Sequence, residues 1–169
     1  GTERGYDSAW VKLKMGPFPF VFPNSPARKS SAYLHDLHHA ATGYGTDLLG
    51  EAEIGAWELA SGCARHWPAW TLNLSALCIG AFIDRQRVFA AFCRGRRSKN
   101  LYREEGVYHA ALLEEPLSSL KTRLGLDTRS WAIGTKDRLS FALWLAASAL
   151  FFLLGPISLV VFAWSLYPV

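Results

Sequence analysis

The last 31 residues of the chain, 139–169, contain no Asp, Glu, Lys or Arg. A helix on the outside of a water-soluble domain needs a polar face, so this lack points to a lipid surface or deep burial. Cysteine is scarce as well, with only Cys63, Cys78 and Cys93. An odd count without a C-x-x-C pair argues against a disulfide framework and a structural zinc knot. Three free cysteines behave as small apolar residues and suit a reducing compartment. No cleavable leader is visible at the start, although the chain opens on Gly1 and an N-terminal piece could be missing. No nucleic-acid-binding motif is present. The net charge of +4 is distributed unevenly, which fits a membrane surface before a nucleic acid.

What the chain does have is apolar and aromatic. Half of it is hydrophobic and 14% is aromatic. The reading is an all-α protein in three parts. Residues 1–30 form an extended, proline- and aromatic-rich arm, either a strap over the core or a lid or lipid contact. Residues 31–138 form a compact helical domain. Residues 139–168 form a membrane-inserted helix or a kinked helical hairpin.

Apolar periodicity predicts helices from about Ser30 to Thr42 and from about Asp47 to Ser61. A third, apolar nearly all round and read as a core helix, begins after Pro68 and ends near Ile83, with a more amphipathic continuation from Asp84 to Phe92. A short helix is expected from Leu117 to Leu124, stopped by Gly125. Five cations between Arg94 and Arg103 make a candidate site for phosphate or anionic headgroups, with a solvated basic loop as the alternative. His66 and His109 stand alone and read as surface or hydrogen-bonded residues.

The uncharged stretch from Leu139 to Leu166 would make a helix about 42 Å long, against about 30 Å of hydrocarbon. Gly155-Pro156 inside it predicts a kink or a break, hence one kinked span or two short helices. A buried terminal hairpin of a soluble fold is the alternative. Lys121, Arg123, Arg129, Lys136 and Arg138 all precede the segment, which favours a cytoplasmic domain.

The chemistry concentrates in His35-Asp36-Leu37-His38-His39, followed after eleven residues by Glu51. Positions i and i+4 share a helical face, so His35 and His39 point the same way, with Asp36 about 100° round the helix. Gly43 and Gly45 suit a helix end, and Thr46 or Asp47 suits the next N-cap, which returns Glu51 towards the histidines. Imidazole and carboxylate donors suit zinc first, with iron(II) or manganese as alternatives. His38 is a spare group, a proton shuttle if it faces the site. Glu58 is read as a solvated glutamate before an outer partner of the metal, and Gly55 as a point of close approach. A zinc protease or a phosphohydrolase ranks lower, because Asp36 replaces the usual glutamate base and further ligands are missing.

The pattern H-D-x-x-H, eleven residues, E resembles the signature of the coenzyme Q (ubiquinone) biosynthesis protein four family at His35, Asp36, His39 and Glu51. The surrounding residues up to the Gly50-Glu51 step are similar too, and a weaker similarity runs on to Ile79-Gly80-Ala81-Phe82. The resemblance implies a mostly helical fold, a divalent metal at those four residues and a polyprenylated aromatic substrate. It also implies oxidative decarboxylation of a quinone precursor or organisation of the other quinone-biosynthesis enzymes. The location it implies is the cytoplasmic face of a bacterial inner membrane or the matrix face of the mitochondrial inner membrane. The expected function is therefore a metal-dependent, membrane-associated enzyme of ubiquinone biosynthesis, with His38 as the catalytic candidate. The alternative is a prenyl-lipid-binding scaffold braced by its metal.

Overall fold

The computed structural model describes residues 10–15, 18–127 and 132–165. Its body is helical, as expected. The one departure is in the arm, where strands β1 (Trp10–Met15) and β2 (Phe18–Pro23) pair antiparallel, with Trp10 opposite Pro23 and Met15 opposite Phe18. The prolines of this arm are accommodated because both strands of a two-stranded ribbon are edges. Residues 1–9 and 16–17 of the arm lie outside the described residues.

Helix α1 (Pro26–Thr42) starts earlier than the expected Ser30. Ser25 caps it by accepting from the Arg28 amide, and Pro26 takes the first helical position, where a missing amide is harmless. Gly43, with φ 79°, closes it. Helix α2 (Leu48–Ser61) begins at the predicted cap, Asp47, whose carboxylate accepts from the Gly50 amide at 2.7 Å.

Helix α3 (Trp67–Gly95) is two arms meeting at Asp84, whose φ of −150° and ψ of 88° break the helix. The Asp84 carboxylate accepts from the amides of Gln86 and Arg87, both at 3.1 Å, and so starts the second arm. The boundary between the apolar and amphipathic helices was expected at this residue. The contacts with α2 show that the chain reverses there. On the first arm Gly80 lies against Ala52 and Asn73 bonds Glu58. On the second, Arg87 pairs with Glu53 and Gly95 lies against Trp57. Rising along α2 therefore means descending the first arm and ascending the second. A Cβ on Gly80 would fall 2.2 Å from that of Ala52, so the apolar arm packs on α2 at a distance only glycine permits. The neighbours Gly55 admits are Asn73 and Ala76 of α3.

Helix α4 (Leu101–Glu104), a 3-10 turn (Ala110–Leu113) and α5 (Leu117–Arg123) follow, with Gly125 at φ 71° just beyond α5. The core gathers Leu34, Ile54, Trp57, Leu77, Phe92 and Tyr102, each at most 1% exposed.

Helix α6 (Thr135–Ser165) is a single helix running through Gly155-Pro156, the one-span form of the two expected there and not the pair of short helices. Proline inside a helix removes one hydrogen bond, a loss that apolar membrane-type helices commonly accommodate. Its first turns dock on α3. Asp137 pairs with Arg96 and Arg97, Phe141 packs on Phe89 and Phe92, and Trp144 stacks on Trp70 with ring centres 5.6 Å apart. Leu139, Leu143, Leu150 and Leu153 are exposed. Thr135–Gly155 is long and apolar enough to cross a membrane, with a mean hydropathy of 1.7. Only 11% of its most apolar 18 residues are buried, whereas a core helix of a soluble protein is mostly buried.

The basic run from Arg94 is engaged in holding the fold. Arg94 donates to the Thr42 carbonyl, Arg96 and Arg97 hold Asp137, and Lys99 faces Glu104. Its cations serve mainly as struts between elements.

Candidate metal centre

The α1–α2 connection brings three of the predicted ligands together. His35 and His39 lie one turn apart on α1, and Glu51 lies in the first turn of α2. The glycine before Glu51 is required, because a Cβ on Gly50 would fall 2.1 Å from the Gly45 carbonyl oxygen as the loop crosses the helix start. The ligand atoms of His35, His39 and Glu51 lie within 4.8 Å of one another and could hold a metal ion. His35 Nε2 is 3.1 Å from His39 Nε2 and 3.2 Å from Glu51 Oε2, and His39 Nε2 is 3.5 Å from Glu51 Oε1. Donors about 2.0–2.1 Å from a tetrahedral ion stand about 3.3–3.4 Å apart. The three separations bracket that value.

The other ring nitrogens fix the tautomers. His35 Nδ1 donates to Glu58 Oε1 at 2.9 Å, and His39 Nδ1 donates to the Tyr44 carbonyl at 3.1 Å. In the neutral rings that a metal requires, both Nε2 lone pairs would then face the shared point. Histidine ligands in metal sites have this arrangement, an oxygen acceptor orienting the ring from behind. The side opening to solvent is that of Glu51, whose side chain is 43% exposed against 10% for His39.

Asp36, the fourth predicted ligand, is exposed on α1 and lies outside this group. The 100° step from His35 carries it off the face that meets α2. His38, the catalytic candidate, is also placed differently from expectation. It is fully buried, donates from Nδ1 to Glu58 Oε1 at 2.6 Å, and accepts the Leu101 amide on Nε2 at 2.9 Å. With both nitrogens occupied by the protein, it braces the site and has none left for substrate.

Glu58 is the residue that sequence reasoning undervalued. It is fully buried, one oxygen shared by His35 and His38 and the other accepting from Asn73 Nδ2 at 2.6 Å. The one available signal was its spacing. Glu51 and Glu58 are seven apart, two helical turns, and so lie on one face of α2. His66 and His109 stay outside the cluster, bonded to Ser31 and Glu105.

The electrostatics of the metal-free cluster follow from these contacts. Burial opposes a charge on His35, but Glu58 and then Glu51 outweigh it and raise its pKa to about 10. Burial lowers His38 below the usual imidazole range, against the hydrogen bond it donates to Glu58. Burial would raise Glu51, yet the hydrogen bonds from His35 and His39 pull it down to about 2. Burial likewise works against a charged Glu58, and His35 and His38 hold it well below the ordinary carboxylate range. A proton on His35 therefore supplies the positive charge that a metal would supply.

Two surface clefts, one around Pro116 and Arg123 and one around Ser98 and Arg103, are lined by none of the cluster residues. Comparison of the chain with protein-family models, curated proteins and solved structures finds no match.

Proposed function

We propose that this chain is a metal-dependent, membrane-associated protein of ubiquinone biosynthesis that acts on the head group of a polyprenylated aromatic quinone precursor. The observation that carries the metal reading is the convergence of the Nε2 atoms of His35 and His39 on the Glu51 carboxylate, each ring oriented by an oxygen behind it. The pathway and the oxidative-decarboxylation type of reaction come from the resemblance of His35, Asp36, His39 and Glu51 to the family signature.

Two imidazoles and one carboxylate are the donor set of open zinc sites and of iron(II) oxygenase sites. Zinc is favoured by the donors alone, and iron(II) or manganese by an oxidative step. Such an ion supplies a Lewis acid for a ring oxygen of the substrate. His35, His39 and Glu51 would hold it, Glu58 would keep His35 pointed, and the exposed Glu51 side would admit the head group. Helix α6 would hold the chain at the bilayer where an isoprenoid tail resides. The basic residues before α6 favour the cytoplasmic or matrix face.

A second reading is a lipid-binding scaffold for quinone-biosynthesis enzymes with a structural metal. It is favoured by the Glu58 network, which ties α1, α2, α3 and α4 together. Elemental analysis of protein purified from membranes, with mass spectrometry of the extracted lipid, tests both. One metal per chain with a prenylated phenol, and turnover lost in a folded Glu51→Ala variant, is the expected result. Metal loss that unfolds a chain without turnover would leave the scaffold. A metal-free, lipid-free protein would overturn both.

A further inference from the structure

The first arm of α3 has no Asp, Glu, Lys or Arg between Arg65 and Asp84. Its inner face, through Asn73, Leu77 and Gly80, is buried. The opposite face carries Leu72, Ile79, Phe82 and Ile83, spaced so that they share one side of a helix. Leu72 is 38%, Ile83 49% and Phe82 88% exposed. The reversal at Asp84 places Phe82 and Ile83 at an apex. The acidic group beside them is turned back onto the Gln86 and Arg87 amides, while Arg85 stays exposed.

We propose that this apex is a second membrane contact, in which Phe82 and Ile83 insert into the surface of an anionic lipid bilayer. The proposal rests on the membrane reading of α6, which packs on the same helix through Trp70 and Phe89. A second copy of the chain fits the apex poorly. A large aromatic buries about 150–250 Å², so the pair offers about 300 Å², whereas a stable protein interface takes about 800 Å² per partner. A bilayer sets no such minimum area, and bulky apolar side chains beside a cation are what interfacial anchoring uses. The charged residues immediately after Ile83 confine the insertion to the headgroup–acyl boundary.

The test uses the full chain in mixed phosphatidylcholine–phosphatidylglycerol vesicles, with a nitrobenzoxadiazole label at Phe82→Cys, Leu150→Cys or Ser118→Cys. Cys63, Cys78 and Cys93 are all buried, so the label goes to the introduced thiol. Phe82 is exposed, so its replacement leaves the core intact. The expected result is a blue-shifted label at Phe82→Cys that loses several-fold in emission to nitroxide-bearing lipid, as at Leu150→Cys, with Ser118→Cys unaffected. A water-like label at Phe82→Cys beside a quenched one at Leu150→Cys would overturn the proposal and leave the α6 reading standing. A blue shift without lipid quenching would assign the apex to another copy of the chain and overturn it too. No quenching at either position would remove both the apex and the α6 reading.

Discussion

Glu58 holds two histidines with a single oxygen, and the character of the cluster follows from that sharing. Its negative charge orients His35 and, with Glu51, keeps the metal-free ring protonated near neutrality. Metal uptake must displace that proton. Zinc binding is therefore expected to release about one proton from His35, and apparent affinity is expected to rise about tenfold per pH unit from about pH 6.5 towards 10. Calorimetry in buffers of different ionisation enthalpy measures the release directly. In the metal-free chain the sign is opposite. The raised pKa of about 10 means that the charged ring stabilises the fold fully below 6.5, and this contribution is lost as pH rises through 10. Replacing Glu58 by Gln keeps the shape and removes the charge. Metal affinity is expected to fall about 10- to 100-fold, read by competition with a chromophoric chelator. The convergence of His35, His39 and Glu51 was legible because their positions are set by local helix geometry. Glu58 was not, because an isolated glutamate on a helix is ordinarily solvated and its burial depends on Asn73 and Leu101, far along the chain. Asp36 stands apart from His35, His39 and Glu51 because adjacency in sequence does not give a shared face on a helix.

Among the elements, α2 and the two arms of α3 form the tightest packing. Gly80 against Ala52 is the closest point between the first arm and α2 in the glycine contacts with a side-chain Cβ. Gly80→Val is expected to cost about 1–3 kcal/mol or more, since neither backbone can retreat without disturbing the other arm. A lower urea midpoint with an unchanged slope would show it. Helix limits were readable where a cap fixes them, as at Gly43, Asp47 and Asp84. They were not readable at Pro26, which takes the first helical position four residues before the expected start. At Gly155-Pro156 the apolar context prevails over the local signal for a break. The reversal at Asp84 was hidden as well, because a change from apolar to amphipathic character marks a boundary without giving the direction in which the chain leaves it.

On the scale of the whole molecule, α6 belongs to the body at one end and is poorly covered along most of the rest. Asp137, Phe141 and Trp144 dock it, while Leu150, Phe152 and Leu153 are exposed. Truncation should separate these roles. A chain ending at Ala149 is expected to keep its urea midpoint and to change from a membrane protein that needs detergent to one that alkaline carbonate extracts, since the Phe82 apex alone then remains in contact with lipid. A chain ending at Ile133 uncovers Phe89 and Phe92, removes the carboxylate that holds Arg97, and is expected to lose about 3–5 kcal/mol, as for deletion of a large buried aromatic. The His35–Glu58–His38 chain reaches further than the cluster it serves, for it ends on the backbone amide of Leu101, 63 residues from His38. A cation captured between the first two helices would tighten that one bond at the start of α4. Slowed deuterium uptake at a single distant peptide group would then report occupancy of the site without any probe placed near it.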